Sequence, residues 1–239
     1  MATPPQVQPP SDPYPRVASP IHTISVLAIL GVWAILGVIA TNRMSAAANP
    51  HRVLSYALTL FFEWLVFFFV LAGVWRSGAP VSNVLGDRWR SAGQVLSDMG
   101  IAAAFWMVAM VLLFVFSRLV RVGAPDRGVQ NMLPHGSAEI ALWIALSITA
   151  GICEETICRG YLQRQFMALT KSAPSGIFLA AVAFGAVHAY QGFRRAIVIG
   201  LYGAMFGILA HWRKSVRPGM IAHAWHDGFL GILASTMRR

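Results

Sequence analysis

The run Glu154-Glu155-Thr156-Ile157-Cys158-Arg159 sets two carboxylates side by side ahead of an arginine. On a helix Glu155 and Arg159 stand at i,i+4 with the acid N-terminal, the favourable orientation for an ion pair. Glu154 lies about 100° further round the helix and stays outside that pair. One carboxylate neutralised by arginine beside another with an accessible lone pair suits acid–base work, although a helix-end salt bridge would use the same residues. Two further groups follow. Phe184-Gly-Ala-Val-His188 puts Phe184 and His188 on one helical face, and His223-Ala-Trp-His226-Asp227 does the same for His223 and Asp227. Each is compatible with packing when taken singly. Together, three successive segments present an acid or a histidine in apolar surroundings, which is a functional pattern by default.

The elements that must position these groups are apolar helices. Of 239 residues, 56% are hydrophobic and only 12% charged, where a soluble domain carries about twice that charged fraction. This excludes a soluble globular enzyme, a disordered chain and a disulfide scaffold. A bilayer span takes roughly 20 apolar residues, and apolar runs fall at 23–40, 55–75, 99–117, 138–152, 176–189, 196–212 and 219–235. The fold class expected is all-α: a polytopic membrane helix bundle of about seven to eight transmembrane helices. Residues 1–20 hold seven of the thirteen prolines and read as a flexible leader. Residues 21–137 then form N-terminal transmembrane helices, and residues 138–239 form the region that carries the chemistry.

Four of the nine acids, Glu63, Glu154, Glu155 and Asp227, lie in or against apolar runs. Glu63 is either a satisfied core acid or a partner of the site. His211 and His226 read as structural or interfacial. Gly200, Gly203 and Gly207 form a small-residue face, of the GxxxG kind at the last two, that lets helices approach closely. The formal charge of +10 sits in short loops between apolar runs, which points to topology and lipid-headgroup contact and leaves no role for nucleic acid. The two cysteines, Cys153 and Cys158, have neither metal nor disulfide spacing.

The segment EETICRGYLQRQF resembles the EExxxR motif of the CAAX prenyl endopeptidase type II and bacteriocin-processing (CPBP) membrane proteases, FGAVH resembles their FxxxH motif, and HAWHD resembles HxxxN/D. Their order and rough spacing agree over about residues 138–235. The resemblance implies an intramembrane protease with a conical cavity open to water and lipid. In it Glu154 would activate the hydrolytic water and His188 would hold or polarise it. His223 and Asp227 would stand where the family stabilises the oxyanion, while Glu155 and Arg159 order the site. Water is a poor nucleophile, and a desolvated carboxylate can take its proton and later hand it to the leaving amine. The developing oxyanion needs donors already aimed at it. Aspartate at 227 differs from the family's asparagine in that an ionised carboxylate only accepts. It could be protonated, orient His223 or bind a cation, and orientation of His223 is favoured.

Zinc could take Glu154, His188, His223 and Asp227 as ligands, but HExxH is absent, so the preferred reading requires no cofactor. The expected substrate is a membrane-proximal peptide or a CAAX-like lipidated protein, in an integral multi-pass protein of a bacterial cytoplasmic membrane whose other partners are lipids. The alternatives are a non-enzymatic membrane module, for bacteriocin immunity or partner stabilisation, that keeps the fold, and a transporter with a buried proton relay. A transporter should show interrupted helices in matching halves, and no such symmetry is present in the sequence.

Overall fold

In the computed structural model, which describes residues 12–47 and 51–236, each of the seven apolar runs corresponds to one helix. The long helices are α1 (Pro20–Ala46) and α2 (Arg52–Arg76); after the single turn α3 (Ser82–Leu85) comes α4 (Ala92–Leu119). The short α5 (Arg127–Asn131) leads into α6 (Gly136–Glu155). A π-helical segment (Thr156–Leu162) then continues without a break into α7 (Gln163–Thr170). The last three are α8 (Ala173–Val187), α9 (Phe193–Arg213) and α10 (Arg217–Thr236). No strand occurs among the described residues.

The starts and stops follow from local chemistry. Ser19, Ser91 and Ser172 cap α1, α4 and α8 by accepting from the backbone N–H three residues on, and Pro20 occupies the first turn of α1. Lys171 and Lys214 end α7 and α9 in the left-handed region, at φ 53° and 51°. Among the described residues, five helical stretches are long and apolar enough to cross a membrane: α1, α2, α4, the 35-residue rod Gly136–Thr170, and α9. The seven to eight expected require two or three more, and the two remaining long helices are α8 and α10. Of these, α8 has only 15 residues, and α10 carries Arg217, His223, His226 and Asp227. Large apolar side chains such as Ile24, Leu65, Phe68, Val108 and Phe114 point outward and are exposed, as the surface of an integral membrane protein requires.

The interior has two apolar clusters. One joins α1, α2, α6 and the π segment around Val26, Val70, Ile157 and Tyr161, and the other joins α4, α9 and α10 around Ala102, Tyr202, Phe206 and Ala222. Residues 1–11 of the proline-rich leader lie outside the described residues. Its remainder is docked, with Val17 and Ala18 buried. The Gln165 Oε1 accepts from both of their N–H groups, at 2.9 and 3.3 Å, and its Nε2 donates to the Ala18 carbonyl.

The pairing that matters most for the site is α6 with α10. They run antiparallel, with Trp143 Nε1 donating to the Asp227 carbonyl at 2.8 Å near one end and Gly151 meeting α10 near the other. A Cβ on Gly151 would stand 2.5 Å from the Met220 carbonyl oxygen and 3.1 Å from the Ala224 Cβ. Both helices would have to part, so Gly151→Val should lower stability by about 1–3 kcal/mol. Thermal unfolding in detergent checks this, with Gly100→Ala as a control at a position open on all sides.

Candidate functional site

Where α6 passes into the π segment, Glu154 and Glu155 diverge. A π turn adds a residue to the helical repeat and often marks a functional site. Glu155 turns inward. Its Oε1 accepts from Arg159 Nη1 at 2.8 Å and from His223 Nδ1 at 2.9 Å, and both members of the Glu155–Arg159 pair are 1% exposed at the side chain. Such a buried pair is tolerated because each charge has a partner. The guanidinium carbon of Arg159 lies 4.1 Å from the Phe184 ring centroid and 5.0 Å from that of Phe206, a cation–π arrangement. Gly203 makes room for it: a Cβ there would sit 3.2 Å from Arg159 Nη2.

Glu154 faces the other way, toward two imidazoles. Its Oε2 is 3.8 Å from His223 Nε2 and 4.0 Å from His188 Nε2, too long for direct hydrogen bonds, and this buried oxygen has no hydrogen-bond partner among the described residues. The far nitrogens fix both rings. His188 Nδ1 donates to the Phe184 carbonyl at 2.9 Å, and His223 Nδ1 donates to Glu155. Since a carbonyl and a carboxylate only accept, both Nδ1 atoms carry hydrogen. In the neutral rings both Nε2 atoms therefore present lone pairs toward Glu154. Once protonated, either can donate.

Asp227 Oδ2 stands 3.6 Å from His223 Nε2, on the same side as Glu154. The contact that orients His223 thus comes from Glu155, where the sequence reading favoured Asp227; one helical turn along α10 brings the aspartate to the wrong nitrogen. Asp227 is the most open of the four, at 34% side-chain exposure. Glu63 is buried in α2 and lies within electrostatic reach of Glu154 and Asp227. His211 is exposed at the end of α9, and His226 packs edge-on against Tyr202.

Sequence reasoning missed three contributors. Phe206 stacks on His223 with ring centroids 5.4 Å apart, Tyr202 flanks His226, and Gln163 donates to the Gly207 carbonyl. Only the proximity of Gly203 and Gly207 to Phe206 hinted at a close approach there. Among the described residues, no group of three or more His, Cys, Asp or Glu is placed to hold a metal ion.

Residues 136–229 match the family model described as Type II CAAX prenyl endopeptidase Rce1-like. Over these residues the chain is similar to that family, in agreement with the three motifs that resemble it. Neither the curated proteins nor the solved structures gave a match.

The geometry separates the two glutamates by experiment. Arg159→Leu strands a buried carboxylate and should destabilise the protein by about 3–5 kcal/mol. Glu154→Gln removes no hydrogen bond made among the described residues and should leave the unfolding midpoint nearly unchanged. Paired thermal melts of the purified variants check both.

Proposed function

We propose that this protein is an intramembrane endopeptidase in which Glu154 activates a water molecule for attack on a peptide carbonyl, with residues 138–239 as the catalytic region. The observation that carries the reading is the unpartnered Oε2 of Glu154, facing two imidazole nitrogens at separations that one bridging water would fill. Glu154 takes a proton from that water as its oxygen bonds to the carbonyl carbon. The carbonyl π electrons pass to oxygen, and His223, protonated at Nε2, donates to the oxyanion. His188, through its Nε2 lone pair, holds the water in line. As the intermediate collapses and the C–N bond breaks, Glu154 returns its proton to the leaving amine. Asp227 flanks His223 on the open side, where substrate would enter, and Glu155 with Arg159 keeps His223 aimed.

The substrate class that goes with this reading is a membrane-proximal peptide or a CAAX-like lipidated protein, met within the bilayer of a bacterial cytoplasmic membrane. No metal is needed for any step. Support for the substrate class comes from the family of residues 136–229.

Comparing N-terminal peptides from membranes that carry wild type or Glu154→Gln at equal levels tests the reading. A set of cleaved termini should disappear in the variant, with turnover down by at least about 10²-fold. Identical peptide sets would sink the protease assignment and leave the non-enzymatic module standing. Activity should also survive exhaustive chelation, and complete loss reversed by added zinc would overturn the metal-free chemistry.

A further inference from the structure

A cavity lies along the α6–α10 pair. Its volume is about 960 Å³, and none of Glu154, His188, His223 or Asp227 lines it. Its walls are apolar, with Trp106 from α4, Ile148 and Ile152 from α6, and Ala224, Phe229 and Ile232 from α10. Along α10 it runs from Arg217 to Ile232, roughly 22 Å at 1.5 Å per residue, more than the ~15 Å of one hydrocarbon leaflet.

One end of this greasy channel is cationic. Arg217 lines the mouth, donating from Nη2 to the Gly86 carbonyl at 3.1 Å, with its guanidinium carbon 5.0 Å from the centroid of Trp89, another lining residue. Among the described residues no carboxylate stands within ion-pairing distance of Arg217, whereas Arg213 next door is paired with Asp98 at 3.2 Å. Arg88 and Arg90, on either side of Trp89 in the chain, and Lys214, three residues before Arg217, are exposed, against one exposed acid in these stretches, Asp87. An uncompensated guanidinium fork at the lip of an apolar slot fits a phosphate with a hydrocarbon tail, and the N-terminus of α10 adds a positive dipole end at that point.

We propose that this cavity is a binding site for an anionic phospholipid, its headgroup phosphate held at Arg217 and one acyl chain laid along α10 between α4 and α6. The charge around the mouth selects an acidic headgroup over a zwitterionic one, and Trp89 sits where an indole belongs, at the level of the headgroups. The site is separate from the Glu154 cluster, so it stands whether or not that cluster hydrolyses peptides.

The test is photolabelling of the full-length protein in phosphatidylcholine vesicles that contain a trace of tail-diazirine phosphatidylglycerol or tail-diazirine phosphatidylcholine, with labelled peptides read by mass spectrometry. The glycerol lipid should label residues 217–232 and the Trp106 segment about fivefold or more over the choline lipid, the effect of a single basic residue near an acidic lipid surface. Arg217→Gln should bring that ratio close to one. Gly228→Leu, at a position whose nearest neighbour to an added Cβ is 4.0 Å away, should fill the slot and reduce labelling there by both lipids while α1 is labelled as before. If Arg217→Gln fails to fold, the wild-type ratio is followed instead as salt is raised, and it should fall. Equal labelling by the two lipids, a ratio indifferent to salt, or displacement of the glycerol lipid by a farnesylated peptide would each overturn the proposal, the last by giving the slot to an isoprenoid tail.

Discussion

Glu155 holds the site together. A carboxylate withdrawn from solvent to this degree persists only if its charge is answered, and here one oxygen takes a hydrogen bond from Arg159 in the π segment and another from His223 in α10. That single oxygen therefore fixes how far apart two elements stand. Arg159 extends the constraint: its plane is covered by Phe184 from α8 and Phe206 from α9, so four segments are registered on one buried charge pair. Glu154 can then face elsewhere without any structural duty. In the proposed mechanism, function and stability are divided between neighbouring residues of the same chemical type.

Small residues make this register possible. Gly151 allows α10 against α6, and Gly219 leaves room for Glu155 itself, since a Cβ there would come 3.1 Å from its Oε2. Gly160, inside the π segment, lies against the Val84 carbonyl, which a Cβ would meet at 2.5 Å. In a bilayer, where lipid competes equally for apolar side chains, close backbone approach of this kind is a main source of helix association. The polar groups are thereby held by a framework that is itself apolar.

Much of this was legible in the sequence because hydropathy has a length scale. Runs of about twenty apolar residues can hardly be anything but helices in lipid, and an i,i+4 spacing predicts a shared face, as it does for Glu155 with Arg159 and for His223 with Asp227. What spacing cannot tell is which ring nitrogen a neighbour reaches. Glu155 meets His223 across 68 positions of chain, and no local pattern encodes that contact, so the orienting role fell to Asp227 in the sequence reading. The π segment was equally hidden, because Thr156–Leu162 has the composition of ordinary amphipathic helix. The docking of Val17 and Ala18 on Gln165 was masked by proline-rich composition, which by itself suggests a free leader.

α10 shows why a helix can miss the criteria for a membrane span and still belong inside the bundle. Its polar residues are not spread over a lipid-facing surface. His223 is buried against Glu155 and Phe206, while Ala224, the next residue, turns toward α6 and lines the apolar cavity. The helix is thus shared between the two proposed sites. Because Gly151 leaves α6 no slack against Met220 and Ala224, whatever occupies the cavity bears on the same backbone that sets the distance from Glu154 to His223. On both proposals, a lipid in that slot would hold the two helices at the spacing that a bridging water needs.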